Sequence, residues 1–259
     1  MKKILLIFFA FPIIASCQDA VWNLQEDESE IFYPESKVAL VIGNTNYKHH
    51  DYKLENPIND AKLMKKTFKE LGFRVIFQLD LDLDSMEIIF SEFKNLIEDY
   101  DFGIIYFAGH GIQNNNGSSL LLPIDFSPQY VKESTQEKHS ISSFKLVQNL
   151  VINPNNKILF ILDACRTKHN IGNTRINIEP ETLKLCLSTR SGKPAFDHEE
   201  YNNTIYTFAL SVGLRKDLPL ETILRRTENW VRLNTKYLQS PIHWHGEYLD
   251  NIILKPKNN

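Results

Sequence analysis

Continuous apolar runs alternate along this chain with stretches of helical periodicity. Residues 37–42 (Lys-Val-Ala-Leu-Val-Ile) form the first run, stopped by Gly43. Such a run fits a strand buried on both faces. Residues 73–79, 102–108 and 157–162 predict three more strands, the third ending at Gly109 and the fourth running into Asp163. Between them, Asn56-Pro57 offers an N-cap and a first-turn proline, and Ala61, Met64, Phe68 and Leu71 recur at helical spacing up to Gly72. Asp84 with Glu87 predicts the capped start of a second helix, striped by Ile89, Phe93 and Leu96. A third helix is predicted over 143–152. Further on, the pattern predicts a fifth strand over 183–188 and helices over 201–214 and 219–233. Ile205, Phe208 and Val212 share a face of the first of these helices, and a last strand is expected over 249–254. Strand alternating with helix implies an α/β fold in three layers, a mostly parallel central sheet of about six strands with helices on both faces.

Composition changes this picture little. With 259 residues there is ample core without disulfide staples, and a net charge of −3 with mixed signs gives no sign of a nucleic-acid partner. The N-terminus stands apart. Met1-Lys2-Lys3 is basic, residues 4–14 are apolar at signal-peptide length, and Ile14-Ala15-Ser16-Cys17 follows. This resembles the lipobox of bacterial lipoproteins, in which the cysteine is lipidated and starts the mature chain. Gln18 in place of aspartate favours the outer membrane by the same resemblance. The expected organisation is a signal peptide over 1–16, a polar tether over 17–36 and one folded domain over 37–259. The expected location is extracytoplasmic, on a membrane reached through Cys17.

Candidate chemistry sits at two strand ends. Gly109-His110-Gly111 follows the third strand, and Asp163-Ala164-Cys165-Arg166 follows the fourth, with 55 residues between histidine and cysteine. Reactive groups in open α/β sheets collect at the carboxyl ends of strands, and adjacent strands would bring these two ends together. A thiol needs a base to become a nucleophile, and histidine can take its proton and return it to a leaving amine. Backbone N–H groups of Gly111 and Cys165 are candidates for an oxyanion hole. The competing account of Cys165 is a disulfide with Cys186, since three cysteines exist and Cys17 is assigned to lipid. A flavodoxin-like nucleotide binder is disfavoured, because Gly43-Asn44-Thr45-Asn46 is not a phosphate cradle.

Taken together, residues 37–44 with Asn46-Tyr47, Asn59-Asp60-Ala61, Leu71-Gly72-Phe73, 106–111, 122–125 and 161–166 resemble, in order, the caspase-like cysteine peptidases. The likeness is closest to paracaspase-type proteins of bacteria. Beyond Cys186 it loosens to Leu187-Ser188-Thr189 and 206–209. The resemblance implies a caspase-hemoglobinase sheet, a Cys165–His110 dyad and endopeptidase activity. It divides the domain into a large-subunit-like half (37–165), a linker (166–182) and a small-subunit-like half (183–259). Caspases carry glutamine two residues before the cysteine and glycine two after; here Asp163 and Thr167 stand there. In paracaspases and metacaspases the positions of Asp163 and Asp60 line an acidic pocket for arginine or lysine at P1, the residue whose carbonyl is attacked. Residues two apart in extended chain share a side, which puts Asp163 on the side of the nucleophile. Each guanidinium–carboxylate pair is worth at most about 4 kcal/mol before desolvation. Asp197 is a third candidate for this pocket.

The implied partners are protein or peptide substrates with a basic P1, and a homodimer is a compatible assembly. No metal or cofactor is expected: the acidic run 80–84 is too short for a calcium loop, and His49-His50 with His243 and His245 read as scattered surface histidines. Basic residues between 166 and 193, Lys168 and Arg175 among them, make self-cleavage of the linker a further expectation. The rival from another class is a catalytically silent caspase-like binding module.

Overall fold

The computed structural model describes residues 31–114, 119–132, 135–150, 156–167, 181–190, 196–198, 202–244 and 246–256, without the side chains of 131, 132, 165–167, 197 and 198. Cys17 and the lipobox, Lys168, Arg175 and His245 lie outside the described residues. Among those described, no helix is long and apolar enough to cross a membrane. Residues from Ile31 onward form one compact unit.

Its centre is a sheet in the order β10-β7-β6-β3-β1-β2. The strands are β1 (Lys37–Gly43), β2 (Arg74–Leu79), β3 (Phe102–Gln113), β4 (Ser119–Leu121), β5 (Ile141–Ser142), β6 (Lys157–Thr167), β7 (Leu183–Leu187) and β10 (Ile242–Trp244). β2, β1, β3, β6 and β7 are mutually parallel; β10 is antiparallel to β7, and β4 to β3. A small hairpin, β8 (Asp197–His198) with β9 (Asn203–Thr204), stands off the sheet. The helices are α1 (Pro57–Glu70), α2 (Leu83–Ile97), α3 (Ser143–Leu150), α4 (Ile205–Leu214) and α5 (Leu220–Asn234). Alternate strand residues enter two cores. Val41, Ile104, Tyr106, Leu159 and Ile161 pack with α1, α4 and α5; Ile42, Ile105, Phe107, Phe160 and Leu162 pack with α2 and α3. Gly43 is held to glycine by the close approach of α1: a Cβ there would meet the Pro57 carbonyl oxygen at 2.7 Å and the Ala61 Cβ at 2.8 Å.

Four expectations are corrected. β3 and β6 run five residues past their predicted ends, to Gln113 and Thr167, because each continues to pair with the other and β4 covers the far side of β3. α2 is capped by Asp82, whose Oδ1 accepts from the Ser85 N–H at 3.0 Å, rather than by Asp84. On α4, Val212 is exposed, and Leu210 and Leu214 join Ile205 in the core. Residues 249–254 are no sheet strand. Leu249 ends a 3-10 helix and Ile252 makes one isolated bridge to Phe32, while the last sheet strand lies earlier, at β10. The fold also takes in the end of the polar segment before β1: the Glu35 and Ser36 N–H groups donate to Asp101 Oδ2.

Candidate active site

The site grows from the extra length of β3 and β6. β1 ends opposite Ala108 and β7 ends opposite Leu162, so the two middle strands project beyond both neighbours. On that projection His110 and Cys165 are in parallel register, directly opposite each other, with Ala108 and Asp163 paired two residues earlier. Neighbouring strands lie about 4.8 Å apart, and residues paired in parallel register share a face. Positions 110, 163 and 165 therefore lie on the face covered by α1 and α4. Gly111 pairs with Leu121 on one side and Arg166 on the other.

His110 is fixed from three directions. Its backbone N–H donates to Tyr47 Oη at 2.7 Å, and that hydroxyl donates onward to the Leu122 carbonyl at 3.2 Å. Its Nε2 lies 2.7 Å from the Tyr52 carbonyl oxygen. A carbonyl can only accept, so the neutral ring carries its proton on Nε2 and keeps the Nδ1 lone pair free to act as a base. The Tyr47 ring meets the imidazole edge-on at 4.7 Å and the Tyr52 ring tilts against it at 5.2 Å. Burial pushes the imidazole pKa below its ordinary value, and the bond to the Tyr52 carbonyl partly offsets this. Gly109 is required here: a Cβ would lie 2.8 Å from Tyr47 Oη and 2.9 Å from the Phe107 ring.

Tyr47 and Tyr52 come from the loop after β1, which is braced from two sides. Asn44 donates to the carbonyls of Leu81 and Leu122, both at 3.3 Å, and accepts from the Leu81 N–H at 3.0 Å. Asp80, in a left-handed conformation at φ 52°, accepts from the backbone N–H groups of Thr45 and Asn46, both at 2.9 Å. Sequence reasoning missed all four residues as parts of the site. Asn46-Tyr47 served only as a family marker, and Asp80 entered only as part of a short acidic run.

The carboxylates converge on one residue of β9. Asp60, in the first turn of α1 and fully buried, accepts at Oδ1 from Asn203 Nδ2 and from the Thr204 N–H, both at 2.9 Å. Asp163, also buried, accepts at Oδ2 from the hydroxyl of the same Thr204 and from Thr207 Oγ1 at 2.6 Å. Thr207 Oγ1 in turn lies 2.6 Å from Tyr106 Oη, which completes a Tyr106–Thr207–Asp163 chain. Thr204 also caps α4, accepting from the Thr207 N–H at 3.2 Å. Nothing in the sequence pattern marked Asn203, Thr204 or Thr207. The Asp197 backbone pairs with Thr204, which brings that position to the level of the carboxylates.

The alternative use of Cys165 meets a geometric obstacle. Cys186 is a free, buried thiol, paired in register with Ile161, four residues before Cys165. Four residues of strand span about 13 Å, whereas disulfides need Cα atoms roughly 4.4–6.8 Å apart. Burial pushes the Cys186 thiol up to about 12. His243 is engaged elsewhere, its Nε2 3.0 Å from Glu221 Oε1 beside β7.

Comparison with known proteins agrees with this geometry. Residues 36–248 match the family model described as "Caspase domain". The human mucosa-associated lymphoid tissue lymphoma translocation protein 1 is 30% identical over 230 residues, which cover 82% of this chain and 27% of the human protein. A Dictyostelium discoideum protein, "Paracaspase", is 25% identical over 205 residues, 74% of this chain and 48% of its own. The chain thus spans less than half the length of either relative. Among solved structures, the Drosophila initiator caspase Dronc has a TM-score of 0.61 over 88% of this chain and 89% of its own. At 14% identity, that likeness speaks for the fold.

Proposed function

The chain belongs to the caspase-domain family of cysteine peptidases, and from that premise we propose that it is an endopeptidase cutting after arginine or lysine. Cys165 is the nucleophile and His110 its base. The Cys165 thiol gives its proton to Nδ1 of His110, and the sulfur forms a bond to the scissile carbonyl carbon. The carbonyl electron pair moves to oxygen, where the N–H groups of Gly111 and Cys165 receive it. As the C–N bond breaks, the imidazolium returns the proton to the leaving amine, leaving an acyl-enzyme. Water, deprotonated by His110, then releases the acid and restores the thiol.

The observation that carries the specificity is Thr204, which holds Asp60 and Asp163 at once, the first by its N–H and the second by its hydroxyl. Two carboxylates on the cysteine's face of the sheet suit a guanidinium or an ammonium, and they would repel the acidic P1 that caspases take. Asp197 is assigned to the same pocket. Lipidation at Cys17 would present the enzyme on a bacterial membrane, with protein substrates and room for a homodimer.

The test is an assay of the reduced protein on matched fluorogenic peptides ending in Arg, Lys, Asp and Ala, with Cys165→Ala as control. Cleavage after Arg or Lys that vanishes in the variant is the expected result. Silence on all four by a folded protein would favour the second reading, a silent binding module. The register of β6 and β7, with Cys186 opposite Ile161, speaks against a disulfide as the route to that state.

A further inference from the structure

The 3-10 helix His50–Tyr52 holds a second set of polar groups that the peptidase mechanism does not use. Ring nitrogens of His49 and His50 and a carboxylate oxygen of Asp51 all lie within 4.8 Å of one another, the one such grouping of metal-ligating side chains among the described residues. His50 Nε2 is 2.7 Å from Asp51 Oδ1. His49 Nδ1 is different: it is shut off from solvent, makes no hydrogen bond, and stands 3.9 Å from Asp51 Oδ2. That gap is too long for a hydrogen bond. It is close to the separation of two ligands sharing one tetrahedral ion, about 3.3 Å when each metal–ligand bond is about 2.0–2.1 Å.

We propose that His49, His50 and Asp51 form a site for a divalent transition-metal ion of the zinc class. Two imidazoles and a carboxylate are the donor set such ions prefer, and three protein ligands leave the fourth position to water. Calcium and magnesium, which take oxygen ligands, are excluded by the same donors. His50 and Asp51 are mostly exposed, at 84% and 65% of their side chains, so small rotations bring them to an ion beside His49. As bare sequence, His49-His50 lacked a third ligand; the turn supplies it from the next residue. The same short helix carries Tyr52, whose carbonyl holds His110, and the His49 ring lies 5.7 Å from the Tyr52 ring. The ion would therefore sit on the turn that orients the base.

Zinc chloride titrated calorimetrically into the untagged full chain carrying Cys165→Ala tests this, because no thiolate at the dyad then competes for metal. One zinc ion per chain should bind at this turn, with no heat from magnesium or calcium. His50→Ala and Asp51→Asn, both at exposed positions, should each weaken binding at least about tenfold with an unchanged thermal melt. No zinc uptake, or uptake unchanged in a variant combining His49→Ala, His50→Ala and Asp51→Asn, would overturn the proposal. Neither result depends on peptidase activity.

Discussion

The two ends of the parallel sheet bury charge in opposite ways. Where the strands start, each buried cation has a matched partner. Lys184 Nζ, on β7, lies 3.0 Å from Glu221 Oε2 and 2.6 Å from Asp250 Oδ1, and Lys37 Nζ donates to the Leu254 carbonyl at 2.9 Å. Where the strands end, two buried carboxyl groups, Asp60 and Asp163, share Thr204 and take hydrogen bonds from Asn203, Thr204 and Thr207. Opposite charges clamp β7, α5 and the chain's last turn together. Two carboxylates gathered around one threonine suit a cationic ligand, which is the use proposed for them above. One end holds the fold together, and the other, on the proposed reading, recognises substrate.

Variants at the two ends should therefore fail differently. The largest effect belongs to Cys165→Ala, expected to lower peptidase turnover by on the order of 10⁴-fold or more with an unchanged melting curve. Next, Asp163→Asn should cut kcat/KM on an arginine peptide by about 10²-fold, the value of a charge-assisted pair, while stability stays level or rises. Lys184→Met should do the reverse. It takes the cation from Asp250 and from one Glu221 oxygen, His243 remaining on the other, and should cost roughly 1–3 kcal/mol in a denaturant titration, with kcat/KM preserved in the fraction that stays folded. A low Asp163→Asn melt, or a normal Lys184→Met melt, would break the contrast.

Smaller effects sharpen it. Tyr47→Phe removes the acceptor for the His110 N–H, so kcat should fall about tenfold while KM holds. A lowered thermal melt alongside the fall in kcat would show a general loss of structure instead. Activity against pH should follow neutral His110. Burial lowers its pKa, so the acid limb of kcat/KM should lie below the ordinary histidine value of about 6.5, activity rising with pH through it. At the clamp, the hydrogen bond from His243, then that from Lys184, holds the Glu221 carboxyl down at about 2. A depressed carboxylate pKa stabilises the fold fully above the unfolded value and loses that contribution as pH falls through the folded one. Acid melts should weaken from about pH 4.5 toward pH 2, and Glu221→Gln should flatten that slope.

How much of this was legible follows from where the chain leans on local pattern. β1, α1 and the cores of β3 and β6 were readable because apolar runs and Gly43 or Gly72 mark them. The overruns of β3 and β6 carry Gly109, Gly111, Asp163 and Arg166, a turn-like composition that only cross-strand pairing and β4 hold extended. α4 is apolar on nearly every side, so its stripe could not be told from sequence, and Val212 fell outside. Leu249, Ile252 and Leu254 read as a strand because they are buried, yet their task is to close the sheet's starting end. At the site, His110, Cys165, Asp60 and Asp163 came from motifs and family resemblance. Tyr47, Tyr52 and Thr204 act through backbone carbonyls, hydroxyls and amides brought together only by folding, which no spacing along the chain announces.

The most direct test of the acidic end compares kcat/KM on two peptides that differ only at P1, one with arginine and one with citrulline, its neutral near-isostere. If Asp60 and Asp163 read the cation, arginine should be preferred by about 10²-fold, and Asp163→Asn should erase most of that preference. Equal cleavage of the two peptides, or a preference that survives in Asp163→Asn, would contradict the account.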